Sequence, residues 1–342
     1  MTGNTAGIAP GPQKAVAYID LLGFGQTIKT DLASGLGMLE DCATILESAL
    51  ANDRLHPATS YPTNELRRIA ERNGVSSFLD FLPMSDGAFV VSDNPSLLVF
   101  QLSSFLVRCY DLKGGQYAYP QDPGNPRRVR TVTYHIATGE EAAQDTWQPV
   151  LFRGGVTFGE VHQFGLPGIV DRKHAALPNV AGRAVVDAVK LEELRLKGPI
   201  VLCTPAFACQ LDDAAKEYVQ EVTVKGVPHW ELCWPLAIFE DANGLEDGLN
   251  NRFGEFLCGA LNLLVPQLLG EHAKYYDGLV QVAVRSALKR FPAGGPLLAQ
   301  RIRHFLMECR ADMINGLLGT VVDRASKLEL CGDQRGQTMI DC

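Results

Sequence analysis

A short and almost continuously apolar run, Ala15 to Asp20, ends on a carboxylate and passes at once into Leu21-Leu22-Gly23-Phe24-Gly25. Such a run, with no polar alternation, is a strand covered on both faces. The chain therefore has to build layers around a central strand that ends in an acid. One layer follows directly: Leu32, Leu36, Leu39, Ala43, Leu46 and Leu50 recur in steps of four and three, which predicts a helix over about 31–51 with one apolar face. Ser77 to Pro83 and Ala88 to Ser92 read as strands joined through Met84-Ser85-Asp86-Gly87, where Asp-Gly is a hairpin signal. A second helix is expected from Pro95 to Asp111, with Leu98, Leu102, Phe105 and Cys109 turned inward.

Residues 113–149 hold Gly114-Gly115, scattered prolines and Arg127-Arg128-Val129-Arg130, and read as a surface insertion with a small strand at Thr131 to His135. Then come a strand at Val150 to Phe158, a helix at Ala181 to Leu196 and a strand at Ile200 to Cys203. A hairpin from Tyr218 to Phe239 turns at Lys225-Gly226-Val227-Pro228, and helical patterns occupy 252–270, 273–290 and 296–320. This order predicts an α+β fold around a central, mostly antiparallel sheet, closing on helices.

Composition removes several function classes. With 46% hydrophobic and 20% charged residues, the 342-residue chain can bury a real core, as one large unit or two. Its 31 Lys and Arg against 39 Asp and Glu give a net charge of -8, which argues against a general grip on nucleic acid. A small nucleotide whose charge is carried by metal ions remains compatible. The 9 cysteines are scattered with no C-x-x-C pair, so a reduced, cytoplasmic protein is expected. Met1 to Lys14 lacks a signal-peptide pattern, and the greasiest stretch, Phe256 to Leu269, is interrupted by Asn262 and Pro266, so no membrane span is expected. No P-loop or nucleophile-elbow motif is present, Gly35-Leu36-Gly37 lacks a third glycine, and His135, His162, His174 and His229 are too dispersed for a zinc site or a triad.

The chemistry-bearing residues gather at the first strand and the hairpin. Asp20 at a strand end and Asp86 at a hairpin tip can together hold hard divalent ions, which take oxygen ligands from one or two carboxylates and from substrate phosphates. The glycines beside Asp20 let backbone N–H groups approach those phosphates. The plainer alternatives are a strand-ending cap for Asp20 and a turn residue for Asp86. Arg183, Asp187 and Lys190 share one polar helix face, either as reacting groups or as a solvated face with an ordinary Arg-Asp pair.

These blocks, in this order, resemble the catalytic domain of the class III nucleotidyl cyclases: Tyr18-Ile19-Asp20-Leu21-Leu22-Gly23-Phe24, Met84-Ser85-Asp86-Gly87, Arg153-Gly154-Gly155-Val156-Thr157-Phe158-Gly159-Glu160, and Gly182-Arg183-Ala184-Val185 through Lys190-Leu191-Glu192. The resemblance covers about 14–240. It implies a cyclase domain over 14–240 carrying the 113–149 insertion, while the Gly- and Pro-rich start reads by composition as a flexible leader over 1–13 and the helical patterns as an extension over 241–342. It also implies a ferredoxin-like βαββαβ core, a homodimer with active sites at its interface, and two divalent ions, Mn²⁺ or Mg²⁺, held by Asp20, Asp86 and the backbone of Leu21. Leu22, Gly23, Phe24 and Gly25 become the phosphate-facing turn, Arg153 and Asn179 nucleotide-binding positions, and Lys190, Arg183 and Asp187 the groups that act on the transition state.

Two departures bear on substrate. Where purine cyclases carry an Asn and then an Arg on the helix, this chain has Val186 and Lys190, and where adenine is read by Lys and Asp it has Leu82 and Asn179. The Asn179 amide can donate to and accept from a pyrimidine edge, or make a turn near Pro178. Together with the first block, these departures resemble the pyrimidine cyclases of bacterial Pycsar anti-phage systems. The resemblance implies conversion of UTP, or alternatively CTP, to a cyclic nucleotide that activates a separate effector, with neither membrane nor nucleic acid as partner. A catalytically silent nucleotide sensor is the competing reading, disfavoured by retention of both Asp20 and Asp86.

Overall fold

The computed structural model describes residues 11–51, 77–114, 129–136, 139–146, 150–170, 173–239, 242–264 and 273–309. The central strand β1 (Gln13–Leu21) runs between β3 (Gly87–Ser92) and β6 (Phe152–Glu160), antiparallel to both. With β2 (Asp80–Met84), β9 (Val201–Cys203), β10 (Val219–Val224) and β11 (Val227–Leu232), they form a seven-stranded sheet in the order β10-β11-β9-β6-β1-β3-β2. The β6–β9 pairing is parallel and the other pairings are antiparallel, so the sheet is mixed. The expected α+β architecture, a mostly antiparallel sheet flanked by helices, is the one observed.

Side chains on β1 alternate between two apolar layers, as a strand's two-residue period requires. Ala15, Ala17 and Ile19 enter the larger core, covered by α2 (Leu32–Ala51), α3 (Pro95–Gly114) and the helices after residue 244. Val16 and Tyr18 enter a smaller layer with Phe89, Val91, Ala184, Val185 and Ala188, roofed by α4 (Arg183–Glu192). Asp20 has the parity of Val16 and Tyr18, so it lies on the face under α4.

Between β6 and β9 the chain makes a two-stranded ribbon, β7 (His162–Val170) with β8 (Lys173–Ala181), before entering α4. No strand is expected there from the sequence, and Asn179 is expected in a loop. Asn179 instead lies on β8, in register with Phe164. Pro167 and Pro178 suppress the strand signal, and a free-standing ribbon tolerates proline because its strands have open edges. A second ribbon, β4 (Val129–Ile136) with β5 (Gly139–Thr146), contains the expected Thr131–His135 strand; β5 is too polar to be read in advance.

The first helix differs as well. α1 (Phe24–Thr30) precedes α2, and the two are separated at Asp31, whose carboxylate accepts from Ser34 N at 3.2 Å and Ser34 Oγ at 2.7 Å. α5 (Pro205–Ala208) and α6 (Asp213–Lys216) are single turns, and α7 (Leu245–Asn250), α8 (Arg252–Leu264), α9 (Ala273–Arg290) and α10 (Gly295–Cys309) follow the sheet. The expected helical stretches 265–270 and 310–320 lie outside the described residues, as does most of the leader. Cys109, Cys203 and Cys233 are buried thiols, whereas Cys209 is disulfide-bonded, which corrects the expectation of a fully reduced chain.

The later helices share one continuous core with the sheet. Tyr110 Oη on α3 donates to the Phe256 carbonyl on α8 at 3.0 Å, and Trp234 packs edge-on against Phe256. On the next helix, Arg285 closes a two-point fork on the buried Glu231 of β11, with Nε to Oε2 at 2.9 Å and Nη2 to Oε1 at 2.5 Å. A carboxylate taken out of water is tolerable only with such a partner. Arg285→Ala is therefore expected to cost about 3–5 kcal/mol in urea unfolding. Replacing both partners by apolar residues of similar volume should recover most of that loss; equal losses in the single and double variants would refute the account.

Candidate active site at the end of the central strand

Asp20 sits opposite Gly87 on one side and Arg153 on the other. The residue before Gly87 is Asp86, at the tip of the β2–β3 hairpin, where Ser85 takes a left-handed backbone with φ 61. The Leu21 amide donates to the Asp86 carbonyl at 2.8 Å, and the Leu22 amide to the Leu151 carbonyl at 2.8 Å. These bonds tie the end of β1 to the hairpin tip, so the two acids are brought together by backbone rather than by flexible side chains.

The chain leaves β1 through Gly23, at φ 79, a conformation costly for any residue with a Cβ. The Gly23 carbonyl accepts from Thr27 N at 2.9 Å and Thr27 Oγ1 at 3.0 Å, which starts α1. Leu21, Leu22 and Phe24 bury their side chains in the core, so these positions can meet a ligand only through backbone. A Cβ added at Gly25 would meet nothing within 4 Å, so the turn is open on that side.

On β6, Arg153, Gly155 and Thr157 share the face of Asp20, Tyr18 and Val16 by register. α4 lies directly on this row. Thr157 Oγ1 donates to the Ala184 carbonyl at 2.8 Å, and at Gly155 a Cβ would collide with the Ala188 carbonyl and with Leu191. The absence of side-chain bulk at Gly155 lets the helix descend far enough for Glu192 to reach Arg153. Arg153 donates from Nε to Glu192 Oε1 at 2.5 Å and from Nη2 to Asp20 Oδ2 at 3.1 Å. Sequence reasoning assigned no role to Glu192; the glycine at the helix crossing and the strand parity of Asp20 are the signals that could have found it.

Burial first, and then the charges of Glu192 and Asp86, push the Asp20 carboxyl up to about 6 against the opposing pull of Arg153. The Tyr18 hydroxyl is raised too, chiefly by burial and then by Asp20. The site thus carries more negative charge than its one arginine neutralises. Among the described residues no group of three or more His, Cys, Asp or Glu is arranged to hold a metal ion by itself.

The other expected site residues lie along the ribbon and α4. Arg183 and Asp187 form an exposed i,i+4 pair at 3.7 Å, the ordinary solvated arrangement, and Lys190 is exposed near the end of the same helix. The Asn179 Oδ1 accepts from the Val180 amide at 2.8 Å. Phe164, Leu166 and Leu177 on the ribbon and Val186 on α4 are 41–51% exposed, a large apolar presence flanking Asn179 and Lys190.

The raised Asp20 value has a sign that can be tested. Between its unfolded value of 3.8 and its folded value of about 6, the folded chain holds a proton that the unfolded chain has lost, so stability rises as pH falls through that window. Asp20→Asn cannot titrate and should be the more stable protein near neutral pH without metal, by on the order of 1 kcal/mol after solvent screening. Thermal melts in a chelating buffer should show this gap closing as pH falls to about 4; a gap independent of pH would refute it.

No protein-family model matches the chain, and no curated protein matches it. Solved structures with similarity include adenylate cyclases from Trypanosoma brucei in their monomeric state, at 13% identity over 66% of this chain and 90% of that one, with a TM-score of 0.35. The guanylyl cyclase Cya2 matches at 15% identity over 66% of this chain and 94% of that one, with a TM-score of 0.35. The monomeric guanylyl cyclase domain of the RhoGC fusion protein from the aquatic fungus Blastocladiella emersonii matches at 13% identity over 64% of this chain and 94% of that one, with a TM-score of 0.35.

Proposed function

We propose that the chain is a nucleotidyl cyclase that converts UTP to 3′,5′-cyclic UMP and pyrophosphate. The observation that carries this reading is the backbone-enforced meeting of Asp20 with the Asp86 hairpin tip, beside the open Gly23–Gly25 turn. The motif resemblance to class III nucleotidyl cyclases supports it from the sequence side.

A divalent metal fits the residues present. Burial and neighbouring carboxylates hold Asp20 in an excess of negative charge, and two carboxylates with the Leu21 carbonyl are a hard-oxygen donor set of the kind that substrate phosphates complete. Bound Mg²⁺ or Mn²⁺ supplies Lewis acidity toward the ribose 3′-hydroxyl and neutralises charge on the triphosphate. In the reaction, the 3′-oxygen bonds to the α-phosphorus as the bond to the β-phosphate oxygen breaks. Pyrophosphate departs, and the hydroxyl proton passes to solvent.

The chain's own groups divide the remaining work. Backbone of Leu22, Gly23, Phe24 and Gly25 faces the phosphates. Lys190 supplies a point charge for the transition state, with Arg183 and Asp187 on the same helix face. These helix groups and Asn179 act from a second copy of the chain, so the active unit is a homodimer. The exposed Phe164, Leu166, Leu177 and Val186 support a covered surface there, since apolar patches of this kind mark interaction sites.

The choice of uracil over cytosine rests on the Asn179 amide. Its Oδ1 accepts from the Val180 amide, and its NH₂ is a donor that matches uracil O4. Cytidylate cyclisation is the second enzymatic reading, and a silent nucleotide sensor the non-enzymatic one. Among the described residues no helix is long and apolar enough to cross a membrane. The product is proposed to serve anti-phage defence as a messenger acting on a separate effector.

Purified protein incubated with Mn²⁺ and each of ATP, GTP, CTP and UTP in turn tests the proposal, with products read by mass. Cyclic UMP is expected from wild type alone, and the Asp20→Ala, Asp86→Ala double variant should lose at least about 100-fold in rate. Cyclic CMP or a cyclic purine would replace the assigned base. Retained nucleotide binding with no product from any of the four would leave the sensor.

A further inference from the structure

We infer that Glu192 is a positioning residue that keeps Arg153 from closing on Asp20, leaving one oxygen of Asp20 free for a divalent cation. The inference rests on the metal-binding reading of Asp20 and Asp86 proposed above. Its ground is a contrast between two arginines in the same protein. The Nε and Nη2 edge of Arg285 closes on the single carboxylate of Glu231, one oxygen to each nitrogen. That is the arrangement a guanidinium and a carboxylate prefer when left to themselves.

At Arg153 the same edge is split. Nε goes to Glu192 Oε1 at 2.5 Å, and only Nη2 reaches Asp20, at Oδ2 and 3.1 Å. Asp20 Oδ1 makes no hydrogen bond among the described residues. Arg153 is opposite Asp20 in the β1–β6 register, so without a competitor nothing in the backbone keeps its fork off both Asp20 oxygens. The competitor is Glu192, on the last turn of α4, with a side chain only 10% exposed. Its reach is fixed by the contact of α4 with Gly155 rather than by a flexible loop. A third carboxylate next to two others is costly unless it has a task. Here it draws the arginine aside while leaving the cluster Asp20, Asp86, Glu192 and Arg153 with a net negative charge.

The test reads metal binding rather than turnover. Mn²⁺ is titrated into the full chain and the free-ion electron paramagnetic resonance signal is followed. The titration is run with Mn²⁺ alone and with the 3′-deoxy triphosphates of all four bases, which cannot cyclise. Glu192→Met, close in shape but with no acceptor, should weaken Mn²⁺ binding by at least about tenfold, and Glu192→Gln by less. In an Arg153→Gln background the Glu192 substitutions should have no further effect, because the group they restrain is gone.

Each result assigns the failure. If Asp20→Ala binds Mn²⁺ as wild type does, the parent metal reading falls. If Asp20→Ala loses binding while both Glu192 variants match wild type, the inference falls and the parent reading stands. Equal weakening by Glu192→Met with and without Arg153 would mean that Glu192 acts by its own charge, which also overturns the inference. Melting temperatures separate binding from folding, and if Glu192→Met does not fold, the isosteric Glu192→Gln carries the test.

Discussion

The contact of α4 with β6 at Gly155 is the constraint on which the rest of the site depends. A helix cannot normally lie so close to a strand that the first carbon of a side chain would strike its backbone, and here the strand supplies no such carbon. The close approach carries the end of α4 down to the rung formed by Asp20 and Arg153, and Thr157 reinforces it through the Ala184 carbonyl. Gly154 serves the neighbouring strand in the same way, since a Cβ there would collide with the Tyr18 carbonyl of β1. The paired glycines are thus a packing requirement on both faces of β6.

Charge is handled differently at the two ends of the sheet. Near β11 a buried acid meets one arginine completely, a closed pair that joins α9 to the sheet. At the end of β1 one arginine is shared between two acids with a third nearby, and burial leaves Asp20 with a raised proton affinity. The first arrangement has little left to bind. The second retains the unmet negative charge from which the proposed metal-dependent chemistry follows.

The large features were legible from the sequence because they follow from hydrophobic period. The unbroken apolar run of β1 and the Asp-Gly tip of the β2–β3 hairpin each have a local cause and each is present, whereas the four-and-three repeat located the helix α2 but not its buried side, which carries Ala33, Met38 and Ile45 while Leu32 is exposed. The ribbon was not legible: its prolines and exposed apolar residues fit neither a buried strand nor an amphipathic one. α1 was hidden because Gly23 and Gly25 read as a loop, whereas Gly23 supplies only the turn and the helix begins at once. Asp20 and Asp86 could be chosen as a pair from strand ends and turns. Glu192 could not, because its partner on β6 is distant in sequence and the meeting depends on how closely two layers pack.

The single parallel pairing in the sheet, β6 beside β9, has a further consequence. Two adjacent strands running the same way cannot be joined by a tight turn, so the chain between them must travel over one face, and α4 is that crossing. The ribbon is spliced into the crossing ahead of the helix, attached at the far end of β6 from Arg153. Its length can therefore vary without moving the rung, much as a boom can be extended without shifting the mast that carries it. The length of the ribbon and the geometry at Asp20 are set at opposite ends of β6.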